Sequence, residues 1–226
     1  MESPTRSIPV NLEQARTNMI DQQIRSWEVL DSRVLDILRE TPREEFVPTR
    51  HRKIAFSDLR IPLGHSQLMM KPIEQGRLLQ GLALMDGEKV LEVGTGSGFL
   101  TACLAKMTGN VTSIEIIDEI AQQAKANLEA RDTEGVQLKI GDVLEAGFDD
   151  NEFDAIVVTA SAASIPDQFV RWLRPGGRLF IVRGKSPAME ALVVTRNDSG
   201  RLSEQSLFDT DLPRLIGAED VPVFNF

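Results

Sequence analysis

Three glycines at alternate positions constrain this chain more than any other feature. They follow an apolar run that ends in an acid, Lys89-Val90-Leu91-Glu92-Val93-Gly94-Thr95-Gly96-Ser97-Gly98, and an amphipathic segment from Phe99 to Met107 comes next. The pattern predicts a strand, a tight turn and a helix. Glycines in such a turn let the backbone take φ > 0 and let a ligand approach with no Cβ in the way. The helix start behind them presents N–H groups. Strand, glycine turn and helix in this order form the nucleotide cradle of a doubly wound α/β sheet. A dinucleotide fingerprint requires Gly-x-Gly-x-x-Gly. Phe99 stands where its last glycine would be, which argues against NAD and FAD.

The rest of the chain supports such a sheet. Strands are predicted at Val111–Glu115, Val136–Ile140, Phe153–Thr159 and Arg178–Val182, with β-like runs at Ala191–Thr195, Leu207–Asp209 and Val221–Phe224. Helices are predicted from Asp118, read as a cap, to about Arg131, and from Ile165 to Leu173, with a turn at Arg174-Pro175-Gly176-Gly177. Regular β–α alternation implies a mainly parallel sheet with helices on both faces. Ahead of it lies a helical extension. Residues 1–10 read as a loose arm, 11–24 show helical spacing, Asp31 looks like an N-cap, and Thr41–Pro48 stops that helix and restarts a short one. Arg60–Pro72 reads as a loop delivering Pro72 to the first turn of a helix over Ile73–Met85, with a turn at Asp86-Gly87. Such a loop can fold over the ligand crevice. The division expected is 1–85 for the N-terminal helices and loop, and 86–226 for the α/β unit, forming one compact body.

Composition narrows the function. The chain has 226 residues, 42% of them hydrophobic and 26% charged, as in ordinary globular proteins. It has no apolar run of membrane-spanning length, and its first ten residues lack the apolar core of a signal peptide. The expected location is therefore the cytoplasm, with no membrane partner. One cysteine, Cys103, reads as a small core residue, and two scattered histidines make no metal site. The net charge of −9 argues against a nucleic-acid partner. The basic cluster Arg50-His51-Arg52-Lys53 reads as a solvated helix surface.

Three acids fall at three successive strand ends: Glu92, Glu115 and Asp142. Glu115 follows Gly94 by 21 residues, a spacing that suits a carboxylate accepting hydrogen bonds from ribose hydroxyls. Asp142 is placed for an adenine amino group. Glu92 either orients the turn or faces the far end of the ligand. Together the acids suit a neutral sugar and a cationic sulfonium, and they would repel a phosphate.

The motif Glu-x-Gly-x-Gly-x-Gly resembles the first motif of the S-adenosylmethionine-dependent methyltransferases. More of the chain resembles one family among them, the protein-L-isoaspartate O-methyltransferases. The matching stretches are Pro42-Arg43-Glu44-Glu45-Phe46-Val47, the Leu63-Gly64-x-x-Gln67 loop ending at Pro72, Val90 to Gly98, Ser113-Ile114-Glu115, Gly141-Asp142, and Phe153 to Ala160 before Ile165-Pro166. The resemblance implies a Rossmann-like class I methyltransferase fold, with S-adenosyl-L-methionine as cofactor. It implies transfer of a methyl group to the carboxylate of isoaspartyl residues in damaged proteins, by a monomer or dimer. The cofactor contacts it implies are Glu92, Gly94, Thr95, Gly96, Ser97, Glu115, Ile116, Asp142, Val143 and Thr159. The substrate loop it implies contains Ser66, Gln67, Met70 and Lys71.

That loop departs from the family pattern, because Met70 stands where a serine that contacts the substrate carboxylate is expected. A thioether donates no hydrogen bond. Three readings follow: Lys71, His65 or Ser66 supplies the donor; the acceptor is a different, less polar molecule; or the chain binds cofactor as a regulatory module.

Overall fold

The computed structural model describes residues 11–218. The arm expected at 1–10 and the β-like run at Val221–Phe224 lie outside the described residues. Helix α1 (Leu12–Asn18) starts at Asn11, whose side chain accepts from the Gln14 N–H. It continues through a π-helical turn (Met19–Ile24) and a 3₁₀ turn (Arg25–Trp27). The predicted helical spacing is therefore one segment with a widened turn that buries Met19, Ile20 and Ile24. Helix α2 (Ser32–Glu40) is capped as expected by Asp31, which accepts from the Arg33 and Val34 N–H groups. Two 3₁₀ segments follow, Arg43–Glu45 and Thr49–Ile54.

The expected loop over Arg60–Pro72 is instead a small antiparallel hairpin, β1 (Ile61–Gly64) and β2 (Gln67–Met69). Its two-residue tip has φ of 50° at His65 and 58° at Ser66, as a type I′ turn requires. Helix α3 (Pro72–Leu82) starts from it, with the Glu74 carboxylate accepting from the Lys71 N–H at 3.0 Å. It ends three residues before the predicted Met85, because Ala83 turns left-handed at φ 45°.

The α/β alternation then runs β3 (Val90–Val93), α4 (Phe99–Thr108), β4 (Val111–Glu115), α5 (Asp118–Glu129), β5 (Val136–Ile140), β6 (Phe153–Ala162), α6 (Asp167–Trp172), β7 (Leu173–Lys185), β8 (Ala188–Arg196) and β9 (Leu202–Thr210). Among the described residues, seven strands form the main sheet, in the order β5-β4-β3-β6-β7-β8-β9. The first five in that order pair in parallel, whereas β8 and β9 fold back antiparallel. Their short connections leave no room for the crossover that a parallel pair needs. The fold is thus a doubly wound, mainly parallel sheet with a helical N-terminal extension. The predicted turn at Arg174–Gly177 is a bulge inside β7: Phe153 pairs with Leu173 and Ala155 with Arg178, and the chain between loops out.

Strand β3 is buried on both faces, as a central parallel strand should be. Helix α4 is not the amphipathic helix expected. Every residue but Lys106 is buried, because the N-terminal extension covers its outer side. One apolar cluster runs from Met19 and Leu38 through Leu79 and Leu104 into Val90 and Phe180. A second, around Phe153, Ile156, Phe169 and Trp172, fills the opposite face of the sheet. Among the described residues, no helix is long and apolar enough to cross a membrane. Order in the sheet reverses at β3, which has β4 on one side and β6 on the other. Ligands of such sheets bind at that switch, beyond the strands' carboxyl ends.

Candidate active site

The glycine turn lies at the switch. Gly94 has φ 88°, and a Cβ built there would come within 2.4 Å of Thr159 Oγ1. Only glycine fits both the backbone and the space. The Thr159 hydroxyl donates to the carbonyls of Gly94 at 2.8 Å and Val93 at 3.0 Å, fastening the turn to β6. On the other side, Glu115 Oε2 accepts from the Gly96 N–H at 3.0 Å and Oε1 from the Ile117 N–H at 3.1 Å. Two backbone donors therefore fix this carboxylate beside the turn, and each oxygen keeps a second lone pair. Asp142 Oδ1 caps the next 3₁₀ turn by accepting from the Leu144 N–H at 2.8 Å.

A crevice opens over these residues. Gly94, Gly96, Glu115, Ile116, Asp142, Val143 and Thr159 all line it, as the sequence leads one to expect of a common pocket. Leu63, Gln67 and Leu68 of the hairpin form one wall. A segment that sequence reasoning missed, Pro213 to Ile216, forms the facing wall. It docks on the end of β6, where the Ser161 N–H donates to the Pro213 carbonyl and the Leu215 N–H to the Ser161 carbonyl, each at 2.8 Å. Its position depends on pairing across more than fifty residues, for which the local sequence carries no signal. The crevice offers carboxylate acceptors at two strand tips, with exposed Ile116 and the apolar Val143 and Leu215 between them. Such a set suits a neutral, hydroxyl-bearing group with an aromatic base. Among the described residues, no cluster could hold a metal ion.

Other candidates lie elsewhere. Glu92 does not line the crevice. It is fully buried below the turn, where its Oε2 accepts from Thr101 Oγ1 at 2.5 Å and Ser113 Oγ at 2.6 Å. Ser113 Oγ is also 2.6 Å from Thr95 Oγ1, so Thr95 turns its hydroxyl inward. A chain of hydroxyls thus links Glu92 to the turn. Burial pushes the Glu92 carboxyl up to about 8, although the two hydroxyl bonds oppose the shift. Ser97 is buried behind the turn, and its Oγ accepts weakly from the Phe99 N–H at 3.4 Å.

In the substrate loop, Gln67 alone of the four named candidates reaches the crevice wall. Met70 is 3% exposed and packs in the core, bordering a small cavity with Thr95, Ser97 and Thr159. Lys71 Nζ lies 3.6 Å from Asp58 Oδ2. His65 and Ser66 are exposed at the hairpin tip.

The residue that holds this loop in place is Arg43, which sequence reasoning did not single out. Its guanidinium is fully buried. It donates to the carbonyls of Ala55 at 2.8 Å and Met70 at 2.7 Å and to Gln75 Oε1, and it lies 5.1 Å from the centre of the Phe99 ring. Burial lowers it to about 9, partly offset by Cys103, Glu74 and Asp58. Arg43 thus ties the 3₁₀ segments, the start of α3 and the start of α4 to one point. The one available signal was its place in the Pro42–Val47 stretch.

The fold has counterparts among known proteins. The model of the family "Protein-L-isoaspartate(D-aspartate) O-methyltransferase (PCMT)" matches residues 14–211. A protein-L-isoaspartate O-methyltransferase of Opitutus terrae is 37% identical over 193 residues, covering 84% of this chain and 83% of the relative. Protein-L-isoaspartate O-methyltransferase 1 of Rhodopseudomonas palustris is 37% identical over 205 residues, covering 90% and 84%. Among solved structures, a Plasmodium falciparum chain described as a protein-L-isoaspartate O-methyltransferase, in complex with S-adenosyl-L-homocysteine, shares the fold. Its TM-score is 0.76 at 20% identity, over 91% of this chain and 98% of that one. With a match that spans nearly all of its described residues and relatives at this identity, the chain belongs to the protein-L-isoaspartate(D-aspartate) O-methyltransferase family.

Proposed function

We propose that this chain transfers a methyl group from S-adenosyl-L-methionine to the free α-carboxylate of isoaspartyl residues in damaged peptides and proteins. The observation that carries the proposal is the Glu115 carboxylate, fixed by the Gly96 and Ile117 N–H groups at the mouth of a glycine-floored crevice. Glu115 would accept from the ribose hydroxyls, Asp142 from the adenine amino group, and Ile116 and Val143 would cover the base. Glu92 supports the turn from beneath. Residues up to 85 supply the hairpin wall and those from 86 onward hold the cofactor. The single cysteine is free and buried, and the proposed place of work is the cytoplasm.

The cofactor supplies an electrophilic methyl group on a sulfonium, which needs no activation. The acceptor carboxylate is ionised at neutral pH and needs no general base. What remains for the protein is to align the two groups and exclude water, and proximity of this kind supplies much of a barrier's reduction. Leu63 and Leu68 on one wall and Pro213, Leu215 and Ile216 on the other provide the dry surroundings. With Met70 in the core and Gln67 on the crevice wall, the proposed loop donor to the acceptor carboxylate is Gln67. A second reading, a less polar acceptor, draws on the small cavity bordered by Met69 and Met70.

Calorimetric titration with S-adenosyl-L-homocysteine tests the cofactor assignment. Removing a charged acceptor of two hydroxyl bonds in Glu115→Ala should weaken binding by about a hundredfold or more, since each such bond contributes about 1.5–3 kcal/mol. Unchanged affinity would remove the assignment.

A further inference from the structure

A groove of about 460 Å³ opens beside the crevice. Leu63 and Gly96 line both, so the two spaces adjoin at these residues. One wall is the 3₁₀ segment that carries the basic cluster, and it brings Arg50 and Arg52 to the groove, with His65 of the hairpin tip facing them. The far wall is α5, through Glu119, Ile120, Gln123 and Asn127.

This segment has no role in the core. None of its residues is buried, and Arg50 and Arg52 form no ion pair within 4 Å among the described residues. Among the described residues, Arg50 donates only to the neighbouring His51 ring, at 3.0 Å. Two carboxylates share the groove. Glu45 is paired with Arg131, which leaves Glu119 of α5 against two guanidinium groups. The groove is therefore net cationic, on a chain whose net charge is −9. A local positive field on an acidic protein selects short anionic segments and repels long polyanions.

The geometry points to a subsite for acidic residues that flank the isoaspartyl residue of the acceptor chain. With the isoaspartyl carboxylate in the crevice, the neighbouring chain passes over Leu63 and Gly96 into the groove, and its Asp or Glu side chains meet Arg50 and Arg52. The subsite rests on the proposed isoaspartyl activity. It also gives the exposed arginines a purpose that the fold does not.

Two labelled isoaspartyl peptides test it, one with Asp and Glu flanks and one with Ser and Ala flanks. Their binding to the full chain is read by fluorescence anisotropy with S-adenosyl-L-homocysteine present. Exposed charge pairs contribute up to about fivefold each, so the acidic peptide should bind about tenfold more tightly. The double variant Arg50→Gln/Arg52→Gln should lose that preference and keep its affinity for the neutral peptide. Equal binding of both peptides, binding of neither, an unchanged preference in the double variant, or displacement of the acidic peptide by an equimolar oligonucleotide would each overturn the subsite. The activity itself is read separately. Acidic-peptide binding with no methyl transfer would sink the isoaspartyl reading and leave the groove standing; equal transfer and equal binding for both peptides would do the reverse.

Discussion

Substitution of Gly94 by alanine tests how the crevice floor is built. At φ 88° an L-residue is in the left-handed region, which costs roughly 1–2 kcal/mol. The new Cβ would also fall 2.4 Å from Thr159 Oγ1, so the hydroxyl must leave. That loses its bonds to the Val93 and Gly94 carbonyls, about 1 kcal/mol net. Gly94→Ala should therefore destabilise the fold by about 2–3 kcal/mol. Thr159→Ala alone should cost about 1 kcal/mol, because only the hydroxyl bonds go. In the double variant the collision is gone and only the backbone strain adds to that loss. The total should again be about 2–3 kcal/mol, about 1 less than the sum of the singles. Urea unfolding followed by circular dichroism gives all three values. Additivity within about 0.5 kcal/mol would show that Gly94 and Thr159 do not contend for the same space, and the account of the turn would fail.

Two further outcomes follow from buried charge. Arg43→Met strips a charged donor from three buried acceptors on Ala55, Met70 and Gln75. With some packing recovered, it should lower stability by about 3–5 kcal/mol in the same assay; a loss below about 1 would contradict its role as a clamp. Glu92 has a folded-state pKa of about 8 against an ordinary 4.5. Below 4.5 both states are protonated and the group has no effect. As pH rises from there to about 8, the unfolded chain gives up its proton while the folded one keeps it, so stability falls across this window and then levels off. Glu92→Gln carries no such proton, so its stability curve should lack this fall and its advantage over the wild type should grow up to about pH 8. Parallel curves for the two proteins would mean that Glu92 is not held protonated.

Much of the site was legible because its signals are local. Gly94, Gly96, Glu115 and Asp142 each sit within a few residues of a strand end, and strand period and glycine spacing place them. Thr159 could be placed for the same reason, as the last residue of the predicted apolar strand, although β6 runs on to Ala162. Glu92 misled in part. A polar strand end usually meets solvent, but β3 is buried on both faces, so this acid has no open side. The β1–β2 hairpin stayed hidden because its tip, His65-Ser66, carries none of the Asn-Gly or Asp-Gly chemistry that marks type I′ turns. Arg43 and the Pro213–Ile216 wall were beyond reach for a different reason. Their roles come from contacts with residues distant in the chain, such as Met70 and Ser161, and no periodicity records such contacts. The full burial of α4 was missed likewise, since it depends on what the N-terminal helices cover.

Transfer of labelled methyl from S-adenosyl-L-methionine to a peptide tests the central claim most directly. The pair to compare is one sequence made with an isoaspartyl and with an ordinary aspartyl linkage. The account predicts base-labile label on the isoaspartyl peptide alone, greatly reduced in Gln67→Ala. Label on neither peptide, or on both equally, would contradict it.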